Sequence, residues 1–361
     1  MAMPVSLLSH GASPSESPVQ NAAAIEAALK EARAKNTDIY VDVVGVIDTN
    51  KSHKVGTANL KPVALIGDGN CTIRRAAGMP LPAPGQGWTS VLLWDKCATS
   101  RIENVTVDGN AAAYPKPATG QAWVSDTLRC QGVGRVDHYK THVLNSVGVT
   151  TTSIAGVVAE TFAAQYLRCG VVRRDSCWTV QSDGGRGATG VVSHWVDDFE
   201  ELNSVVYGFM YGQSYGVYGG TPSTRVLFQN AHSFQGRHGF NIEAGGGLGT
   251  VNVTESSSNN DGIGLLHNGN VNSRVESLTA TGLEINNPID GVAMTGVAPG
   301  RMQLDRVAIV DPANSGIRFM TNTTNNSQAL WLQATTLRNN KNAIPVKGGR
   351  LTNGHGTLHI F

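Results

Sequence analysis

The sequence predicts an all-β solenoid, a parallel β-helix whose first coil is closed by a helix. Three observations carry this. First, one phrase returns along the chain: a turn, a glycine or its replacement, then an alternating apolar strand. It reads Arg237-His238-Gly239-Phe240-Asn241-Ile242, and its marked positions are Gly148, Cys177, Gly208, Gly239, Gly262, Gly291, Gly316 and Ala343. A loose period of roughly 23 to 31 residues with a short strand in each signals a repeat architecture. Second, from Gly239 onward a further short apolar run precedes each mark, as in Val226/Phe228, Val251/Val253, Val275/Leu278, Leu304/Val307 and Leu330/Leu332. Alternation means strands with one face buried. Third, the joints are polar and sharp, such as Ser256-Ser257-Ser258-Asn259-Asn260-Asp261, and Asn, Asp and Gly tolerate positive φ. No amphipathic helix fits inside the unit. A leucine-rich repeat would need a fixed Leu-x-x-Leu-x-Leu phrase, and a propeller would need blades of about 40 residues or more.

Composition agrees. Of 361 residues only 15% are charged and 6% aromatic, while glycine numbers 42, which suits a chain of strands and corners. A formal charge of +1 without a Lys/Arg cluster argues against a nucleic-acid partner. No apolar run reaches the roughly 18 residues of a membrane span. Met1-Ala2-Met3-Pro4 lacks the basic and apolar regions of a signal peptide, so none is expected. Cys71, Cys97, Cys130, Cys169 and Cys177 are odd in number and scattered; buried thiols are expected rather than a disulfide frame. No Cys-x-x-Cys or His-rich spacing suggests zinc, and no metal or cofactor is expected.

In chain order, residues 1–100 read as a capping helix with N-terminal strands, and residues 101–361 as coils. The helix spans Gln20–Ala32, with Ile25, Ala28, Leu29 and Ala32 on one stripe. Terminal units of a stacked repeat need such a cap. Strands follow at Ile39–Val43, Val46–Thr49, Val63–Gly67 and Cys71–Ile73. Two stretches, near 111–135 and 213–222, read as insertions, and Gly245-Gly246-Gly247 as a third loop. Long loops on a rigid scaffold often line a groove. No helix follows the glycine run, so it is not read as a phosphate site. Asn259, Asn260, Asn286, Asn287, Asn340 and Asn342 read as corner residues or a stacked Asn ladder.

The order of elements is itself specific. His10-Gly11-Ala12, a polar loop, Asn21-x-x-Ala24-Ile25-x-x-Ala28-Leu29, a strand pair and then Leu65-Ile66-Gly67-Asp68-Gly69-x-x-Thr72-Ile73 resemble the opening module of the pectate-lyase-like single-stranded β-helix superfamily. Arg101-Ile102-Glu103-Asn104-Val105-Thr106-Val107-Asp108-Gly109-Asn110 is similar to a first coil of that group. Ser15-Glu16-Ser17 replaces an Asp-rich turn before the helix, which reads as a local change of cap. The resemblance implies a right-handed helix and a polysaccharide partner. It is closest to bacteriophage tailspikes and depolymerases, which implies a homotrimer on a virion tail or an extracellular protein. It does not fix the chemistry, because this fold hosts many activities.

The candidate catalytic residues are carboxylates. Asp197, Asp198, Glu200 and Glu201 form the densest acidic cluster. Aligning the marks places Gln181, Gly212 and Glu243 in one column, with Asp183 two residues beyond Gln181. Neighbouring coils lie about 4.8 Å apart, so Asp197 or Asp198 is expected to meet Glu243, with Asp183 in reserve, as the carboxyl pair of a glycoside hydrolase. Such clusters are also common on solvated turns. Trp195, Tyr211, Tyr215 and Tyr218 offer rings for sugars, and Arg186, Arg237 and His238 complete the expected binding set. A lyase would instead need a base and a cation to neutralise a uronate, for which Lys140, Arg173, Arg174, Arg186 and Arg237 are the candidates. The sequence therefore supports a polysaccharide-recognising, glycan-cleaving protein. A non-catalytic adhesin or structural tail protein, and a cellular lyase or uronan epimerase, stay open.

Overall fold

A computed structural model describes residues 3–81, 89–114, 125–147, 153–154, 157–158, 162–182, 189–210, 212–244, 247–269, 275–295, 301–320, 328–338, 344–348 and 356–360. The chain divides into two units, Met1–Val191 and Val192–Phe361.

The first unit opens with helix α1, Pro18–Lys35. Ser17 caps it in a capping box with Gln20, Pro18 occupies the first turn, and Asn36 ends it at φ 53°, so the serine turn does replace the acidic one. Ile25, Ala28, Leu29 and Ala32 are buried. Ile25 and Leu29 share one apolar space with Leu7, Ile39, Val55 and Leu92 of the first strands, and this closes the open end of the core.

Behind the helix each coil contributes three short parallel strands, and these stack into three walls. Ile39–Val41, Leu65–Gly67, Thr99–Glu103, Arg135–Tyr139 and Val171–Asp175 belong to the first wall. Gly45–Thr49, Cys71–Arg75, Thr106–Asp108, His142–Leu144 and Trp178–Val180 form the second. His53–Thr57, Leu92–Asp95, Leu128–Gln131 and Phe162–Leu167 form the third. Stacked partners are 26 residues apart in the early coil joining Asp48 to Arg74, and 36 apart later, as in Leu92↔Leu128 and Arg135↔Val171. The extra length lies between the second and third walls, where the sequence reading placed an insertion. Trp94, His138 and Tyr166 pack together inside, and all five thiols are buried and unbridged. Burial lifts Cys71 to about 12, so it is a core residue and not a nucleophile.

The second unit repeats the plan with shorter coils, stacked partners lying 25 to 27 residues apart. Its first wall contains Asp198–Leu202, Arg225–Gln229, Leu248–Thr254 and Val275–Thr281; its second contains Val205–Tyr207, His232–Phe234, Ser257–Asn259 and Glu284–Asn286. Its third contains Gln213–Tyr218, His238–Ala244, Ile263–Gly269, Asp290–Thr295 and Ser315–Met320. Residues 213–222, read from the sequence as an insertion, therefore hold a strand of the stack. The expected Asn ladder is present: Asn230 donates to Asn203 at 3.0 Å, Asn286 to Asn259 at 3.0 Å and Asn287 to Asn260 at 3.2 Å. Asn340 and Asn342 lie outside the described residues.

The corners differ from expectation. Each turn from first to second wall has a left-handed residue, but its type varies: Asn230 (φ 50°), Glu255 (φ 47°), Gly282 (φ 63°) and Arg306 (φ 51°) occupy one position in successive coils. The wall hydrogen bonds run straight through it, Asn230 N–H to Thr254 O, Glu255 N–H to Thr281 O and Gly282 N–H to Asp305 O. These bonds offset the steric cost of a side chain there. Of the phrase glycines, Gly208 is a corner at φ 88°, but Gly239, Gly291 and Gly316 lie within strands. Gly239 sits within a third-wall strand, and the register His238↔Ile263 and Phe240↔Leu265 sets it opposite Gly264, not Gly262. Its requirement is space, since a Cβ there would lie 2.6 Å from Ser258 Oγ and 2.7 Å from Gly264 O.

Tyr215 is corrected likewise. It faces inward, buried, stacked on Phe240 at 5.2 Å and packed against Phe228 at 5.3 Å. It is a core residue and no sugar platform. Among the described residues no helix is long and apolar enough to cross a membrane.

Candidate functional site

On the outer face of the second unit's third wall, the register aligns Tyr218, Glu243, Asn268 and Thr295 in one column. His194 extends it: its ring meets that of Tyr218 edge-on at 4.7 Å, and Trp195 N–H donates to Tyr218 O at 3.1 Å. Tyr218 donates to Gln213 Oε1. The two side chains close over Gly216, where a Cβ would lie 2.8 Å from each. Thr295 Oγ1 donates to Asn268 Oδ1 at 2.7 Å. Alternation accounts for the column, because Phe240, Ile242 and Leu265 of the same strands point into the core.

Glu243 is the titratable centre of this column. Burial pushes its carboxyl above the usual range, while hydrogen bonds from Asn241 and Asn268 partly oppose that rise. Asn241 is itself buried, and its Oδ1 has no partner among the described residues. A carboxyl so shifted, in a column with a phenol, two amides and a hydroxyl, can in its acid form donate a proton to a glycosidic oxygen, and its neighbours can hydrogen-bond to sugar hydroxyls. Asp290 is the other carboxylate on the described strands of this wall. It is buried and committed to Arg318 at 2.8 Å, Asn314 at 2.7 Å and Ser315.

The expected carboxyl pair is not gathered on one wall. Asp198 begins a first-wall strand and is ion-paired with Arg225. Asp197 is exposed beside it, and its carbonyl accepts from Arg225 N–H at 3.0 Å. Asp198 pairs with Arg225 and Arg225 with Thr250, while Glu243 follows Tyr218 by one coil and His194 by two. Asp198 thus lies two coil steps from Glu243, roughly 10 Å along the stack at 4.8 Å per step. Asp183, Arg186 and Tyr211 fall outside the described residues. Gln181 and Gly212 do not share the Glu243 column.

Trp195 is 47% exposed at a left-handed corner with φ 48°. Gly219, φ 65°, takes the same position one coil on. An aromatic ring thus stands where a glycine suffices. His238 faces Gln213 across the register. Burial, helped by the charge of Arg237, pushes its ring down to about 4, so it is neutral near pH 7 and offers a uronate no charge. Arg237 is exposed at the preceding corner. The remaining lyase candidates belong to the first unit. Arg174 is buried against Thr179 and the Tyr166 ring, Arg173 lies 3.8 Å from Asp175, and Lys140 lies over Tyr139. Among the described residues, no three His, Cys, Asp or Glu side chains come together to hold a metal ion.

The sequence reading missed His194, Gln213, Asn241, Asn268 and Thr295. Their signal was the equal step from Tyr218 to Glu243 to Asn268, which the marks at Gly208 and Gly262 displaced.

No protein-family model matches the chain, and no curated protein does. Solved structures do. PfbA, a surface adhesin of Streptococcus pneumoniae, aligns over 95% of this chain and 93% of its own at 10% identity with a TM-score of 0.52. The catalytic domain of a GH87 α-1,3-glucanase in complex with nigerose aligns over 99% of this chain and 67% of its own at 14% identity, TM-score 0.52. The chain is a right-handed parallel β-helix. At these identities the likeness establishes the β-helix alone.

Proposed function

We propose that this β-helix binds a polysaccharide along the outer third wall of its second unit and cleaves it with Glu243 as the acid. The observation that carries the reading is Glu243 itself, an outward carboxyl whose pKa burial raises, set within a column of neutral hydrogen-bonding side chains. The acid-active form is lost as pH rises through its pKa, so turnover falls on the alkaline side. The test is a glycan panel that includes bacterial capsules. Reducing sugar released without the ultraviolet absorbance of an unsaturated uronate marks a hydrolase, and both signals together mark a lyase. Glu243→Gln is expected to lower turnover about 10²-fold with folding intact. Full activity in that variant removes the assignment.

Asp198 is the second carboxyl of this proposal, with Asp197 beside it. Their rise of roughly 10 Å along the stack lies just beyond the inverting range of about 6.5–9.5 Å. Asp198→Asn should then match Glu243→Gln, and the double variant should lose no more than either. Glu276→Gln, on a first-wall strand of a later coil, serves as the control and should stay active. A second reading is favoured by one observation: Glu243 has no free carboxylate beside it on its own wall. Binding without products across the whole panel would make the protein a non-catalytic adhesin.

Trp195 belongs to the binding part. Its corner conformation costs a side chain about 1 kcal/mol, so Trp195→Gly should hold or raise the melting temperature while weakening glycan binding. Unchanged binding would exclude Trp195 from the site.

The proposal extends to a trimeric, tailspike-type depolymerase acting on a bacterial surface glycan. Its support is the order of elements in the N-terminal module. A strictly monomeric mass by light scattering at micromolar concentration would remove the trimer.

A further inference from the structure

We propose a second carbohydrate site, on the outer first wall of the first unit, that takes a neutral oligosaccharide with Tyr139 as its platform. The register stacks Glu103, Tyr139 and Asp175 in one column and Arg101, Asp137 and Arg173 in the next. The phenol ring therefore stands between two carboxylates, each about 4.8 Å away along the stack, with a third carboxylate two residues before it. Glu103, Asp137, Tyr139, Arg173 and Asp175 line an open depression of about 210 Å³. That is room for about one sugar ring. Tyr139 is 41% exposed, although its column neighbours are polar. The Lys140 ammonium lies 5.2 Å from the ring centre and holds its orientation.

The chemistry selects the ligand. A flat ring offers an apolar face to sugar C–H groups, and carboxylates with fork-shaped guanidinium groups satisfy paired hydroxyls. Arg101 is tied to Glu103 at 2.6 Å and Arg135 to Asp137 at 2.6 Å, while Arg173 and Asp175 are 3.8 Å apart. These three arginines balance the three carboxylates and Lys140 leaves one net positive charge, which repels a polycation and is too little to select a polyanion. A neutral glycan is the class that fits. The site lies in the first unit and does not need the second to be catalytic.

The experiment is titration of the full chain by calorimetry with neutral tetrasaccharides of glucose in α-1,3, α-1,4, β-1,3 and β-1,4 linkage, beside a tetragalacturonate. At least one neutral probe is expected to bind. Tyr139→Ala should weaken it tenfold or more, and Tyr139→Phe, which keeps the ring, should retain it. Asp137→Asn should weaken it, and Glu243→Gln should leave it unchanged. Circular dichroism melts confirm that each variant is folded. Three outcomes overturn the proposal: no neutral probe binds, Tyr139→Ala binds as well as the parent, or the tetragalacturonate binds more tightly at Tyr139. Loss of cleavage with Glu243→Gln while Tyr139-dependent binding persists separates the two sites.

Discussion

Gly239→Val is expected to lower the unfolding free energy of the second unit by about 3 kcal/mol or more, the upper range for overpacking. A Cβ at this position would lie 2.6 Å from Ser258 Oγ, 2.7 Å from Asp261 Oδ2 and 2.7 Å from Gly264 O. Two of these atoms are already engaged with each other, because Ser258 donates to Asp261 at 2.6 Å, and Asp261 also accepts from Gly236 N–H at 2.5 Å. Relieving the clash must break this buried knot or push the next coil away. The neighbours repeat the constraint. A Cβ at Gly264 would lie 2.8 Å from Gly291 O, and one at Gly291 would lie 2.4 Å from Gly316 O. The glycines form a seam along which strands approach too closely for side chains. Gly282 is the internal comparison. It has positive φ but nearest atoms at 3.6 Å, and its corner column holds Glu255 and Arg306. Gly282→Asn should therefore change stability by less than about 1 kcal/mol. Urea melts of both variants decide the matter. A Gly239→Val protein as stable as the parent would mean that the seam relaxes freely.

That seam also shows what the sequence could and could not reveal. Alternation in Phe240-Asn241-Ile242 fixes a strand wherever it is placed, and the Ala-rich stripe ending in Leu29 and Ala32 fixes a helix. Fold class, cap, Asn ladder and buried thiols all follow from such local signals. Register does not, because it depends on which glycine of Gly262 and Gly264 is stacked on Gly239. Both fit the phrase, and only the pairing His238↔Ile263 decides. A slip of two residues keeps every side chain on its face but changes its neighbour in the next coil. It hid the step from Glu243 to Asn268, and the mark at Gly208, where the register sets Ser214 beside Gly239, hid the step from Tyr218 to Glu243. The second wall was missed for a different reason. Its strands, such as His232–Phe234, are three residues long, too short for alternation to register. With that wall unseen, Gln213–Tyr218 looked like surplus chain, and Tyr215 was sent outward with it.

His267→Met is expected to gain on the parent as the solution is acidified, by about 3 kcal/mol between pH 7 and pH 4. His267 sits in the third wall opposite Ile242 and Met294, facing the core and fully buried. Neither ring nitrogen has a hydrogen-bond partner among the described residues. Burial alone pushes the ring from 6.5 down to about 4, because a charged imidazolium there would have nothing to replace its water. In the unfolded chain the ring takes up a proton near pH 6.5, and in the folded chain only near pH 4. The stabilising preference is thus complete above pH 6.5 and is lost as pH falls toward 4, at about 1.4 kcal/mol per unit. Asp261 in the same unit works in the opposite sense. Its carboxyl is raised by burial from 3.8 to about 6, so its desolvation cost is relieved below pH 6. The parent's own pH profile mixes these terms, whereas the difference between parent and His267→Met isolates the histidine. At pH 7 the variant removes two unsatisfied nitrogens and places a thioether beside Met294, so it should match or exceed the parent. Chemical melts at pH 7, 5.5 and 4 measure the gap. A constant gap would show that the ring finds a partner on protonation, and that the interior of this coil is open to water.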